Sequence, residues 1–497
     1  MEITILFPIL VFFIFNLIKC SNIVSFKLNY ININNVEYNI SSIFTDLRKT
    51  YLFSYIKIGE PEYEIEVNFS LVIPYFSMLS KLELIDEEQL LNYYNINKSK
   101  TFENITCLNQ LYVQSTKDIA AKEKFKINIY NSENKICKEI EINHLDFVFG
   151  VPNIVKKNDN FTEIYFITIG LQYLTSSKNT EEKQYNFISL LKERDIINNY
   201  NWFIFYEKIN LNENELYNLY DLINNKQMLL IGGSPHEFEP KKFHKQQLFS
   251  VYSNYFLWIL EFKSVFFYRN NTKFNTGKIK QEIYHNKARI NINDFFIYAP
   301  SLYFSLINNE FFNDYISKNI CHYYTDALIN SFYYDKSENF SINNLTNFPP
   351  LFFEHNEFNY TFEFNYKDLF AEKDGKYIFL IAVKKRDIDD WYLGNIFLRK
   401  YQLVFNQDSK LISFYNKDII VIDDEDNEDN EEKEIIIYKS NDDLKYIILF
   451  ICLSLIVFIG IGFIIGYLIY RNNKNKKKKR ANELVDDYEY MADNNIN

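Results

Sequence analysis

Histidines, cysteines and clustered carboxylates are where chemistry would first be sought in this 497-residue chain, and all three are sparse or scattered. The six histidines, His144, His236, His244, His285, His322 and His355, form no pair with one another or with cysteine at the helical or hairpin spacing of a metal site. Cys321 and His322 are adjacent, but neighbours on a strand point to opposite faces, so they make no thiolate–imidazole couple. Neither a metal nor a cofactor is expected. The one dense charge feature is the acidic run from Asp423 to Glu432, which cannot bury apolar surface, repels itself and therefore reads as an extended stalk.

The elements that would position any chemistry lie between two apolar ends. Residues Ile5 to Phe15 are apolar, too short to span a bilayer comfortably, and are followed by Lys19-Cys20-Ser21. Residues 1–20 are therefore expected to be a secretory signal peptide, with an uncleaved anchor as the alternative because Glu2 replaces the usual basic residue. The run Tyr446 to Tyr470 carries no charge and is long enough to cross the hydrocarbon core as a helix. Arg471, Lys474, Lys476 to Lys479 and Arg480 follow it, so the positive-inside rule places residues 471–497 in the cytosol and makes the chain a single-pass type I membrane protein. In that tail, Tyr488-Glu489-Tyr490-Met491 fits a tyrosine-based sorting signal, with Tyr488 and Met491 as its defining residues. The acidic stalk would occupy 423–445.

The roughly 400 residues in between exceed one typical core and suggest two lobes, 21–235 and 236–422. Short runs of Ile, Val, Tyr and Phe with partial alternation, such as Lys126 to Tyr130 and Phe262 to Tyr268, predict strands. Helical pieces are few, the best being Phe187–Asp195 and a segment near Ser301–Asn309, so the class is all-β with few short helices. Of the formal net charge of −11, the stalk region carries most, and the folded part offers no basic face for nucleic acid. With Cys20 removed and Cys452 in the membrane, Cys107, Cys137 and Cys321 remain; a Cys107–Cys137 disulfide with Cys321 free is expected. Glycosylation sequons begin at Asn39, Asn68, Asn97, Asn104, Asn160, Asn270, Asn339, Asn344 and Asn359, as suits a secretory-pathway or cell-surface glycoprotein.

The segment Trp391-Tyr392-Leu393-Gly394-Asn395 to Asn406 resembles the closing strand of pepsin-like aspartic peptidases, Trp-x-Leu-Gly-Asp-x-Phe-x-Arg-x-Tyr-x-x-x-Phe-Asp. The departures are two Asp to Asn changes, at Asn395 and Asn406. Five further segments line up in family order: Phe53 to Pro61 with the entry strand, Asp146 to Val151 with Asp-Gly-Ile-Leu-Gly-Leu, Leu190 to Tyr206 with a helix and strand, Leu229 to Gly233 with a hairpin, and Tyr255 to Leu260 with a strand of the second lobe. The resemblance spans residues 53 to 415 and implies a bilobal double β-barrel, followed here by a transmembrane helix.

What it implies about activity is less direct. The family uses one Asp-Thr-Gly turn per lobe, whose two carboxylates share a proton and activate a water. By register against the flanking motifs, those triplets fall on Ser70-Leu71-Val72 and Asn291-Ile292-Asn293, and no Asp-Thr-Gly or Asp-Ser-Gly occurs in the chain. Ser70 and Asn291 do not take a proton near neutral or acid pH, and Leu71 and Ile292 cannot supply the threonine hydrogen bonds, so an apolar centre is expected. Asp294 is the one nearby carboxylate and reads as a solvated loop residue. Tyr112 corresponds to the flap tyrosine, although the family's following Gly-x-Gly is missing and a core aromatic is the simpler reading. The expectation is a pseudoprotease that binds an extended polypeptide or protein partner in its cleft, with an active endopeptidase of atypical centre as the alternative.

Overall fold

The computed structural model describes residues 22–30, 40–48, 52–72, 75–83, 98–107, 116–131, 136–152, 162–172, 185–209, 211–212, 215–253, 257–269, 272–275, 286–338, 340–355, 357–385, 390–418, 471 and 474. The leader, stalk, membrane run and sorting signal expected above lie outside them, and so does Tyr112. Among the described residues no helix is long and apolar enough to cross a membrane.

Strands dominate, as the alternating aromatic and β-branched runs predict. The first half contributes β1 (Asn22–Lys27), β2 (Leu52–Ile58), β3 (Tyr63–Ser70), β4 (Phe76–Glu83), β5 (Thr116–Asn131), β6 (Ile136–Pro152), β7 (Thr162–Gly170), β8 (Asn201–Tyr206) and β9 (Gln227–Ile231). The second contributes β10 (Leu248–Tyr252), β11 (Lys287–Ile290), β12 (Ile297–Ala299), β13 (Ile381–Lys384), β14 (Trp391–Leu393), β15 (Leu403–Asn406) and β16 (Leu411–Tyr415), besides others named by range where needed. The helices are short: α1 (Ile40–Arg48), α2 (Phe187–Glu193), α3 (Leu219–Asn224) and α4 (Asn395–Lys400) are those that bear on the site. The helical segment expected near Ser301–Asn309 is present as Tyr303–Ile307, a π turn Asn308–Phe312 and Asn313–Ser317.

Within residues 22–418 one sheet joins the two halves. Its order runs β10-β16-β15-β8-β9-β1-β5, so strands near the C-terminal end of the fold hydrogen-bond to strands of the first half, β8 to β15 through Asn201↔Asn406 and Trp202↔Phe405. Trp202 stacks on Phe405 with centroids 4.2 Å apart, and both are buried. Non-local pairing of this kind makes the halves interdependent.

Each half also contains the same four-strand arrangement. In the first, β7 lies between β3, to which it runs parallel, and β4, to which it runs antiparallel, while β4 pairs parallel with β6. In the second, β14 lies between parallel β11 and antiparallel β12, and β12 pairs parallel with β13. A central strand inserted between two strands that are consecutive in the chain forces the connecting turn to face the central strand's C-terminal end. The cores beneath are unusually aromatic: Phe76, Phe125, Phe147 and Phe187 cluster in the first half, and Phe312, Phe332, Phe348 and Phe379 in the second.

Candidate functional site

The two connecting turns are the positions where the resemblance places catalytic carboxylates, and strand register shows that they are equivalent. Phe69 pairs with Ile169 and Ser70 with Gly170; Ile290 pairs with Leu393, so Asn291 stands beside Gly394 as Ser70 stands beside Gly170. The sixth residue after each, Phe76 and Ile297, pairs with Ile169 and Leu393 respectively. Local bonding agrees. Ser70 Oγ accepts the N–H of Val72 at 3.2 Å, and Asn291 Oδ1 accepts the N–H of Asn293 at 3.1 Å. Both side chains therefore brace their own turns two residues on, a role for an acceptor and not for an acid.

This register also corrects one alignment. The Asp146-Phe147-Val148-Phe149-Gly150 segment was matched to the small-residue strand of the first lobe, but it lies in β6, beside β4. The topological counterpart of Leu393-Gly394 is Ile169-Gly170, at the end of β7. The sequence hid this because Ile167-Thr168-Ile169-Gly170 lacks the Asp-Gly that would flag it. At Gly394 the small side chain is required: a Cβ there would stand 2.5 Å from the Asp294 carbonyl oxygen and closer still to that of Phe296.

Leu71 and Ile292, at the positions where the pepsin-like pattern has threonines, are 9% and 1% exposed, so the middle residue of each turn is apolar and buried. Val72 is 68% exposed. Cross-links between the turns come instead from Asn293. Its Oδ1 accepts the N–H of Leu52 at 3.3 Å, and its Nδ2 donates to the carbonyl of Phe69 at 3.4 Å, both in the other half. Three more bonds, from two side chains, pin the end of the central strand β7 from the second half: Trp258 Nε1 donates to Leu171 O at 2.8 Å, and Gln407 Nε2 donates to Gly170 O at 3.1 Å and Gln172 O at 2.8 Å.

Asp294 is not the solvated loop residue expected from sequence. It is half-buried; its Oδ2 accepts from Asn291 Nδ2, and its Oδ1 accepts from Tyr298 Oη at 3.2 Å. Nearby Lys384 lies over the ring of Tyr392, 3.5 Å from its centroid, and 4.5 Å from that of Tyr298. Burial holds the Lys384 ammonium below its ordinary pKa, with Asp294 opposing and Arg289 adding to that shift. Arg289 is itself paired with Asp390 at 2.7 Å. The polar atoms of this turn are thus committed to one another.

Asn395 and Asn406, where the family has aspartates, both use the amide. Asn395 is fully buried; its Nδ2 donates to Ile292 O at 3.2 Å, its Oδ1 accepts from Tyr206 Oη at 2.7 Å, and its backbone N–H donates to Asp294 O at 2.8 Å. Asn406 Nδ2 donates to Asn201 Oδ1 at 2.7 Å while its Oδ1 accepts from Ser409 N at 2.8 Å. A carboxylate at either place would lose a donor.

No protein-family model matches the chain, and no curated protein is similar to it. Among solved structures it is similar to conglutin gamma, a basic 7S globulin from lupine seeds, at 10% identity and a TM-score of 0.48, over 80% of this chain and 95% of that one. At that level neither fold nor function passes from one protein to the other.

Helix α1 was missed in the sequence, although Ile40, Ile43, Phe44 and Leu47 recur at helical spacing. Phe44 stacks on Tyr324 at 4.2 Å and on Phe296 at 5.9 Å, and Leu47 O accepts the N–H of Phe295 at 3.4 Å, so α1 seats against the residues that immediately follow Asp294.

The remaining expectations fare unevenly. Cys107 lies opposite Ile119, whereas Cys137 lies opposite Tyr130 further along the same strand β5. That separates their backbones by on the order of 30 Å, against about 7 Å for a bridge, so the Cys107–Cys137 pairing does not fit. Cys321 is a buried free thiol, its pKa pushed up to about 12 by burial. Of the sequons, Asn39, Asn97, Asn160, Asn270 and Asn339 lie outside the described residues. Asn104 sits in the strand Glu103–Cys107. Asn68 is paired on both sides within the sheet, opposite Phe53 and Thr168. Asn344 and Asn359 are exposed; Asn344 caps a short helix with Ser341, and Asn359 occupies a turn at φ 46°. Among the described residues no group of His, Cys, Asp and Glu could hold a metal ion.

Proposed function

We propose that this chain is a membrane-anchored, pepsin-like bilobal protein that does not hydrolyse peptides and binds an extended polypeptide or protein partner through its ectodomain. The observation that supports the first part most strongly is the pair of equivalent turns. Ser70 and Asn291 occupy matching register and each braces its own turn, so the scaffold of a two-carboxylate centre is kept while both carboxylates are absent. A hydroxyl and an amide cannot exchange the proton that water activation requires. Anchoring rests on the uncharged run Tyr446 to Tyr470 and the basic block after it. Polypeptide binding rests on the bilobal β scaffold, since strand addition is its natural mode.

The test is an acid-range peptidase assay. Full-length protein in detergent, incubated with denatured globin and a peptide library between pH 4 and 6, is expected to leave both intact. Cleavage that disappears in Asp294→Ala would overturn the reading.

A second reading, an endopeptidase with a single working carboxylate, is favoured by one observation: Asp294 is bonded to Asn291, at one of the two positions in question. Its partners weigh against it, because Asn291 and Tyr298 both donate to Asp294 and stabilise the carboxylate as an acceptor. Pepstatin, whose hydroxyl mimics the activated water, would raise the thermal midpoint only if that reading holds.

A further inference from the structure

We propose that a concavity of about 1100 Å³ in the first half of the chain is a binding site for a compact anionic saccharide. This inference is independent of the cleft and of whether the chain is a peptidase.

The concavity arises where the sheet forks. Strand β1 leaves β5 after the pair Ser25↔Asn128, and the chain then joins β2 through Asn29↔Phe53. Strand β2 meets β5 again at Lys57↔Lys126. A bond from Ser54 Oγ to Lys27 O, 2.7 Å, spans β1 and β2 within the fork. The turn from α3 into β9, Ile223–Gln227, supplies a further wall. Strand pairing therefore bounds the hollow at its corners, leaving no continuous edge along which an extended peptide could add, and its volume matches a small-ligand site.

The lining sets the ligand chemistry. Lys27 and Lys226 are exposed and have no ion pair among the described residues, whereas Lys126 is neutralised by Glu62. Glu64 is the single carboxylate among the lining residues, so the hollow favours an anion. Asn29 and Asn128 bring side-chain amides that are uncommitted among the described residues and suit the paired hydroxyls of a sugar ring. Tyr55 is 48% exposed with Phe53 edge-on at 5.5 Å, which offers a ring face for the C–H side of a pyranose. Cations alone would suit any small anion; amides and an exposed ring together single out a sugar.

The probe is a heparin-derived sulfated disaccharide titrated calorimetrically into the full-length protein in detergent, alongside its desulfated form, inorganic sulfate and a glutamate decapeptide. The sulfated disaccharide is expected to bind at one site, at least tenfold more tightly than the other three, and to weaken at high salt. The double variant Lys27→Ala/Lys226→Ala, with an unchanged thermal midpoint because both side chains are exposed, and the single variant Tyr55→Ala are each expected to lose at least tenfold. Lys263→Ala, whose partner Glu354 lies in the second half, is expected to bind like the parent. No binding overturns the proposal, as does binding that survives the lysine double variant. Inorganic sulfate binding as well as the disaccharide, or indifference to Tyr55→Ala, reduces the hollow to an anion trap and also overturns it. A tighter decapeptide would replace the saccharide with an acidic peptide.

Discussion

In the first half of the molecule the described residues of the turn after β3 show few side-chain bonds: Ser70 braces Val72, its carbonyl accepts from Leu171 N at 2.7 Å, and Val72 is left largely in solvent. In the second half the equivalent turn is threaded by polar contacts, from Asn291 to Asp294, from Asp294 to Tyr298 and Asn395, and from Asn293 across to Leu52 and Phe69. The strand frame is the same, so the difference is local. Register and a braced turn are demands of the fold and are met twice. Identical side chains would be a demand of shared-proton catalysis, and the two turns do not meet it. The second turn has instead become the polar fastening between the halves.

The comparison breaks most violently at Gly394. Gly394→Ala drives a methyl into the Asp294 and Phe296 carbonyls, so soluble expression of folded protein should fail, or stability should drop by more than about 4 kcal/mol in denaturant melts. Asn395→Asp, which introduces the residue of the pepsin-like pattern that the segment resembles, turns a donor to the buried Ile292 carbonyl into a second acceptor. A loss of about 2–4 kcal/mol in the same melts is expected, and a neutral result would mean the amide is dispensable.

Acid should strike the second half first. His355 is buried and its Nδ1 accepts the N–H of Phe358 at 3.2 Å, and burial lowers its pKa from 6.5 to about 4. Above pH 6.5 the imidazole is neutral folded or unfolded, and its contribution is fully present. As pH falls from 6.5 towards 4 the unfolded chain takes up the proton and the folded one does not, so stability drops, by on the order of 2–3 kcal/mol. His144, in the first half, is exposed and lies 3.1 Å from Glu103. Hydrogen exchange across this pH range should show β-strand Leu351–His355 loosening before β3 and β7, and His355→Gln should lessen the loss of stability without abolishing it, because burial lowers the His236 pKa to about 4 as well.

The two turns themselves give the smallest effects and the sharpest contrast. Asn293→Ala removes both links to the other half and should cost about 1–2 kcal/mol, whereas Ser70→Ala, removing one bond at a half-exposed site, should cost less than about 1 kcal/mol. Equal losses would deny that the second turn fastens the halves.

Much of this was readable in the chain. Alternating aromatic runs indicate the strands, and the flanking segments Ile65 to Phe69 and Ala288 to Ile290 put Ser70 and Asn291 at matching positions from sequence alone. Asp294 reads as solvated in the sequence because a lone carboxylate shows no partner there, and no local pattern announces that Tyr298, four residues on, turns its hydroxyl back. The Cys107–Cys137 pairing failed because elimination among cysteines ignores how far apart a long strand such as β5 holds them. Helix α1 was legible but overlooked amid the β-rich pattern.

The sequence by itself determined the mostly β class of fold, the strand-forming segments and the lack of any Asp-Thr-Gly or Asp-Ser-Gly triplet, since each depends only on residue type and local period. Only the tertiary structure decided that Asn395 serves the Ile292 carbonyl, that Gly170 is the counterpart of Gly394 and that Asn293 spans the halves. Those partners lie roughly a hundred or more residues apart, and their meeting is set by which strands pair, a choice no local stretch of chain encodes.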